Sequence, residues 1–165
     1  MKRRHFLGAL GAGSLAAVLP GWALARPKPD LTRAADLEVL ELSEAEWRER
    51  LSEAQFAILR EAGTEPAFSS PLNDETRRGE YRCAGCDLVL FNSDTKFESG
   101  TGWPSFYDHV EGHLLSRVDF WMVIPRTEYH CARCGGHQGH VFDDGPAPTG
   151  LRWCNNGLAL TFHPA

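Results

Sequence analysis

A chain of 165 residues with 42% hydrophobic and 24% charged residues is long enough for one domain with its own core, and too apolar for a disordered segment. Its 22 acidic residues against 17 basic ones, a net charge of −5, argue against binding a phosphate backbone through bulk electrostatics. No long repeat or low-complexity tract is present.

Residues 1–25 stand apart from the rest. A basic head, Met1-Lys2-Arg3-Arg4, precedes an apolar run from Phe6 to Ala25 that ends in Ala23-Leu24-Ala25, a small-x-small cleavage pattern. Lys2-Arg3-Arg4-His5-Phe6-Leu7-Gly8 resembles a twin-arginine export signal. Gly8, Gly11, Gly13 and Pro20 make the run a poor spanning helix. The expectation is therefore a signal peptide cleaved after Ala25, a periplasmic or otherwise exported product, and no stable membrane insertion afterwards. Without that segment's three basic residues the remainder carries 14 basic against 22 acidic, net −8, which further disfavours nucleic acid. Residues 26–40, with Arg26-Pro27-Lys28-Pro29-Asp30, read as a flexible tether, and 41–165 as the folded domain.

Two short helices open that domain. Ser43 with Glu46 forms a capping box, and Leu42 and Trp47 are spaced as a hydrophobic staple. Ser52 with Gln55 forms a second box, which predicts a break near Leu51 and a restart. Phe56, Ile58 and Leu59 supply the second helix's apolar face, and Gly63 suits its stop. Helical periodicity then vanishes. Thr64 to Gly79, with Pro66, Pro71 and Asn73-Asp74, reads as a wrapping loop. Seven short strands are predicted at Glu80–Cys83, Asp87–Phe91, Val118–Ile124, Glu128–Cys131, Gly139–Phe142, Leu151–Cys154 and Leu158–Phe162. The fold class is mainly β with antiparallel pairing.

Four of the five cysteines fall into two Cys-x-x-Cys pairs, Cys83/Cys86 and Cys131/Cys134. Two such knuckles present four thiolates to one ion, which suits structural zinc. Gly85 and Gly135-Gly136 lie where each knuckle turns. Disulfides, redox motifs and rubredoxin-like iron compete with zinc. The export route favours metal, because a protein folded before translocation loads its ion where thiols stay reduced.

Cys154 is left over, and so is free for chemistry. Arg152 shares its strand parity, and a guanidinium on the same face favours thiolate. Upstream, His137 and His140 are candidate proton donors or thiolate stabilisers; on a regular strand they face opposite ways, so a turn at Gly139 is expected to bring them together. Ser99-Gly100-Thr101-Gly102-Trp103-Pro104-Ser105-Phe106 offers Trp103 as the wall of a small apolar pocket. On spacing alone, Cys154 is equally well an inert buried residue.

Several motifs together are similar to the methionine sulfoxide reductase B family: Thr64-Glu65, Ser93–Phe97, Ser99–Tyr107, Arg126-Thr127-Glu128, Cys131–Gly135, Gly139–Pro146 and Pro148–Arg152. The likeness runs from about Ser43 to Phe162. It implies two small antiparallel sheets forming a compact β core, short N-terminal helices and a peripheral zinc. The implied reaction is reduction of the R epimer of methionine sulfoxide, mainly in proteins. By position, the nucleophile falls on Cys154, the zinc ligands on Cys83, Cys86, Cys131 and Cys134, and the substrate-methyl wall on Trp103. Supporting polar roles fall on His137, His140, Asp144, Arg152 and Asn156. The thiolate attacks the sulfoxide sulfur and becomes a sulfenic acid.

The chain departs from the family's pattern in places. Thr101 stands where many relatives carry a resolving cysteine, which implies an external dithiol reductant of thioredoxin-like type. Trp153 replaces a usual Tyr, Asn155-Asn156-Gly157 a more apolar Ile-Asn-Ser-like run, and Gln138 a usual Leu. A monomer is expected. The rival reading is a zinc-ribbon-like module in which Cys154 is inert and the aromatic loops dock a partner protein.

Overall fold

The computed structural model describes residues 31–119 and 125–165. The expected signal peptide and the first part of the tether, within residues 1–30, lie outside the described residues, as do 120–124. Among the described residues no helix is long and apolar enough to cross a membrane.

Two seven-residue helices, α1 (Glu44–Arg50) and α2 (Glu53–Leu59), begin at Ser43 and Ser52, and both capping boxes form. Each cap contributes about 1 kcal/mol, but helices this short are not stable alone. They are held by burying Trp47, Phe56, Ile58 and Leu59 in the core. Leu51 is extended between them, as the second box requires. α2 closes with the Gly63 N–H donating to the Ala57 carbonyl at 2.9 Å. The left-handed residue of that stop is Ala62 (φ 55), whereas Gly63 is needed because a Cβ there would meet the Ala57 oxygen at 2.8 Å.

The expected tether is packed from Leu31 onward. Leu31, Leu37 and Leu40 lie against the core, Arg33 Nε donates to the Ala132 carbonyl (2.8 Å), and the Leu40 N–H donates to the Arg133 carbonyl (2.9 Å). Three apolar side chains outweigh the local Pro-rich character that suggested a free linker.

Among the described residues nine strands follow: β1 (Gly79–Cys83), β2 (Val89–Asn92), β3 (Lys96–Phe97), β4 (Ser105–Phe106), β5 (Leu114–Asp119), β6 (Arg126–Cys131), β7 (His137–Phe142), β8 (Arg152–Asn155) and β9 (Leu160–Pro164). They form a three-stranded sheet, β2-β1-β9, and a six-stranded sheet, β3-β4-β8-β7-β6-β5, with every pairing antiparallel. This is the mainly β, two-sheet architecture expected. The strand foreseen at Val118–Ile124 starts earlier, at Leu114, and its remainder falls on 120–124. The last strand begins later than foreseen, after a 3-10 turn at Gly157–Ala159. The two-residue strands β3 and β4 were not foreseen.

An aromatic layer joins the sheets. Tyr81 and Phe91 from the small sheet meet Phe106, Tyr129 and Trp153 from the large one. Phe91 stacks on Phe106 at 4.1 Å between centroids, and Tyr129 meets Trp153 edge-on at 5.0 Å. Such pairs add roughly 0.5–1.5 kcal/mol each beyond burial. Strand alternation assigns the two faces of the large sheet: Tyr129, Val141 and Trp153 are buried in this layer, so Glu128, His140 and Cys154 project from the other face.

Candidate active site and metal centre

The register of the large sheet builds one row across five strands. Arg117 pairs with Glu128, Glu128 with His140, His140 with Cys154, and Cys154 with Ser105. Asp119, Arg126 and Arg152 lie two residues along from members of this row, and hence on the same face. A cleft of about 120 Å³ opens over the row, lined by Thr64, Trp103, His140, Phe142, Cys154 and Asn156 among others. That is room for the end of one side chain, well below the roughly 300–1,000 Å³ of drug-sized sites.

His137 and His140 do share a side, but by a different device from the expected turn. The β6–β7 register shifts, so that Tyr129 pairs with Gly139 and His130 with His137, leaving Gln138 as the extra residue of a bulge. The two imidazoles end 5.6 Å apart. Each is tied to a carboxylate that carries an arginine. His137 Nδ1 lies 2.7 Å from Glu128 Oε1, and Arg117 donates to the same carboxylate. His140 Nε2 lies 2.8 Å from Asp119 Oδ2, to which Arg126 donates at 2.9 Å. Burial would raise the Glu128 carboxyl, but His137 and Arg117 hold it at about 2. His140 lines the Cys154 cleft, whereas His137 is almost wholly buried and borders a neighbouring groove. Glu128 and Asp119 had no role in the sequence reading, because nothing in linear spacing pairs a strand carboxylate with a histidine 9 or 21 residues away.

Arg152 lies on the same face as Cys154, as expected, buried and held by two parallel bonds to Asp144 at 2.8 and 2.9 Å. Its effect on Cys154 is smaller than its presence suggested. Burial pushes the thiol above its usual value, and the Arg152 charge and hydrogen bonds from Thr101 and Arg152 reduce that rise without cancelling it. The resting group is a thiol at neutral pH. Replacing Arg152 by Met removes a cause that lowers the thiol's pKa. The midpoint of a pH profile of Cys154 alkylation should therefore move to higher pH, with slower modification near neutrality. A midpoint that stays or falls would show that Arg152 does not lower the thiol's pKa.

Trp103 is placed by the chain before it. Its indole Nε1 donates to the Glu65 carbonyl (3.1 Å), and Glu65 is itself buried and tied to the segment after Cys154. The Glu65 carboxylate accepts from the Gly157 and Leu158 N–H groups at 2.5 and 2.9 Å, while the Glu65 N–H donates to Asn156 Oδ1. Asn156 also donates to the Gln138 carbonyl at 3.1 Å. Asn156 thus braces the cleft, and Glu65 couples its aromatic wall to the strand that carries Cys154.

The four remaining cysteines gather at the far ends of β1 and β6, with all four sulfurs within 4.8 Å of one another and all buried. Cys83 and Cys134 sulfurs are 3.7 Å apart, and Cys86 and Cys131 are 3.5 Å apart. A disulfide needs about 2.05 Å. A tetrahedron of thiolates with metal–sulfur bonds of about 2.3 Å has edges of about 3.8 Å, so the cluster fits a zinc-sized ion. In each knuckle the N–H four residues beyond the first cysteine returns to its carbonyl: Asp87 to Cys83 at 2.8 Å and Gly135 to Cys131 at 2.9 Å. Those two residues carry the positive φ (61 and 68), so Asp87, not Gly85, is the first knuckle's special position. Arg50 at the end of α1 and Arg60 just past α2 donate to the Gly85 and Cys134 carbonyls (2.7 and 2.9 Å).

A SelR domain model matches residues 51–164. The chain is 53% identical over 123 residues to a peptide methionine sulfoxide reductase MsrB of Agrobacterium fabrum, covering 74% of this chain and 91% of that protein. It is 52% identical over 123 residues to the MsrB of Thiobacillus denitrificans, covering 74% and 93%. A chloroplastic peptide methionine sulfoxide reductase B1 of Arabidopsis thaliana is 45% identical over 149 residues, covering 89% and 74%. With this match spanning both knuckles and the Cys154 strand, the chain belongs to the SelR-domain family of MsrB peptide methionine sulfoxide reductases.

Proposed function

We propose that this chain reduces the R epimer of methionine sulfoxide in proteins, with Cys154 as nucleophile. The observation that carries this reading is the register pairing of Cys154 with His140 beneath a cleft walled by Trp103 and Phe142. In the resting site burial raises the Cys154 thiol and lowers the His140 imidazole, so both are neutral. The ring nitrogen of His140 that Asp119 does not hold takes the thiol proton as sulfur attacks the sulfoxide sulfur. That proton then passes to the departing oxygen. The attack joins the two sulfurs; the protonated oxygen then moves to the Cys154 sulfur as that S–S bond and the substrate S–O bond break, so that methionine leaves as the thioether and Cys154 holds the oxygen as a sulfenic acid. Trp103 and Phe142 take the substrate's methyl end, Arg152 and Asp144 set the charge beside the sulfur, and Asn156 braces the wall.

Regeneration takes two external thiols. One displaces water from the sulfenic acid to form a mixed disulfide, and the second releases Cys154 as thiol and leaves with the first as a disulfide. Thr101 supports this reading, because its hydroxyl, linked to Ser99 at 2.8 Å, sits beside Cys154 where a resolving thiol would otherwise stand. The four clustered cysteines hold structural zinc, with no part in the reaction. The twin-arginine-like leader supports an exported enzyme, which would draw its electrons from a thioredoxin-like dithiol outside the cytoplasm.

The test is an assay of purified protein with each epimer of dabsylated methionine sulfoxide and dithiothreitol. The R epimer should be consumed and the S epimer left. If a metal-loaded preparation consumes neither, the non-catalytic zinc-ribbon reading takes its place.

A further inference from the structure

Gln138 and Asn155 touch each other, and both polar side chains are completely buried. Burying an amide is costly unless its donors and acceptor are met, and here they are met in a single directed line. The Tyr129 hydroxyl donates to Asn155 Oδ1 (2.9 Å), Asn155 Nδ2 donates to Gln138 Oε1 (3.3 Å), and Gln138 Nε2 donates to the Cys83 sulfur (3.4 Å). Asn155 Nδ2 also donates to the Asn156 carbonyl at 2.8 Å, which fixes which way the amide faces. The line crosses the core from the large sheet to the end of β1 in the small one. It starts at Tyr129, passes through the residue after Cys154 and ends on a sulfur of the metal cluster.

Every donor in the line points toward the sulfur, so each dipole polarises the next and the last N–H falls on Cys83. The bulge at Gln138 makes this contact available: the extra residue turns its side chain into the core while His137 and His140 keep the opposite face. We propose that Gln138 and Asn155 form an amide bridge that orients and stabilises the Cys83 thiolate of the metal centre and fixes that centre to the catalytic strand. Gln138 and Asn155 are positioning residues in this role, acting through sulfur and backbone. Groups that hydrogen-bond to metal ligands change metal retention by about 10–100-fold when removed.

The inference rests on the four-thiolate reading of the cluster, so zinc stoichiometry of the full wild-type chain is measured first. A wild type that carries no zinc brings down that reading and the bridge with it. Three variants are then compared, Q138L, N155I and the double variant, for zinc release to a chromogenic chelator and, after cobalt exchange, for the thiolate-to-cobalt charge-transfer band. Q138L should release zinc on the order of tenfold faster and shift the band to lower energy, since the thiolate loses an N–H donor. N155I touches no sulfur, yet it should show a fraction of both effects. The double variant refills the space with two apolar side chains and should match Q138L instead of summing the single effects. It also supplies the reading should a single variant fold poorly. Unchanged release and band position in Q138L, or effects of the two single variants that simply add, would overturn the bridge.

Discussion

Cys154→Ser should lose turnover of the R epimer by on the order of 10⁴-fold or more, by analogy with nucleophile removals in other covalent enzymes, while the domain stays folded. The hydroxyl is far less acidic than even a burial-raised thiol, so the neutral imidazole of His140 cannot take its proton at a useful rate. The fold has little reason to object. Cys154 is only partly buried, projects away from the aromatic layer, and gives up a sulfur for a smaller oxygen in an open cleft. A stability change within roughly 1 kcal/mol is expected. The measurement pairs steady-state kinetics with a thermal melt, and intact-mass spectra during turnover should place the added oxygen on Cys154. Retained turnover would remove the nucleophile assignment; a collapsed melt would show a core cysteine instead.

Cys83→Ser should act in the opposite manner, first on structure and then on activity. Structural zinc bound by thiolates contributes on the order of 10 kcal/mol to the folded state, comparable to the whole stability of about 5–15 kcal/mol of a typical domain. Cys83 also closes β1, beside the pairing with β9, and accepts the Gln138 amide. The variant should lose its zinc and its cooperative unfolding transition together, as read by metal analysis and circular dichroism. A variant that stays folded with one zinc per chain would show that the other three sulfurs suffice. The contrast between these two substitutions would separate a sulfur that reacts from sulfurs that hold the fold.

Much of this was readable before any coordinates, for identifiable reasons. Capping boxes are local, so Ser43–Glu46 and Ser52–Gln55 marked both helix starts to the residue. The knuckles are local too, and their four sulfurs converge as the spacing required. Relations between strands were hidden. Nothing in the sequence shows that Glu128 and Asp119 hold the two histidines, because that follows from a register set by the whole sheet. The bulge at Gln138 was equally out of reach, so the route by which His137 and His140 meet was misjudged. A strand of two residues, such as Lys96–Phe97, carries no periodicity to detect. The influence of Arg152 on Cys154 was legible in direction, but burial of the thiol, a property of the packed cleft, decided the net result.

The alternation that sends Trp153 into the aromatic layer and Cys154 into the cleft has a consequence for how this protein can fail. A slip of one residue between β7 and β8 would exchange the two, with an indole thrust into water and the Cys154 sulfur entombed among rings. Misfolded copies of that kind would be silent as well as sticky, and no population of loosely threaded yet working molecules should exist.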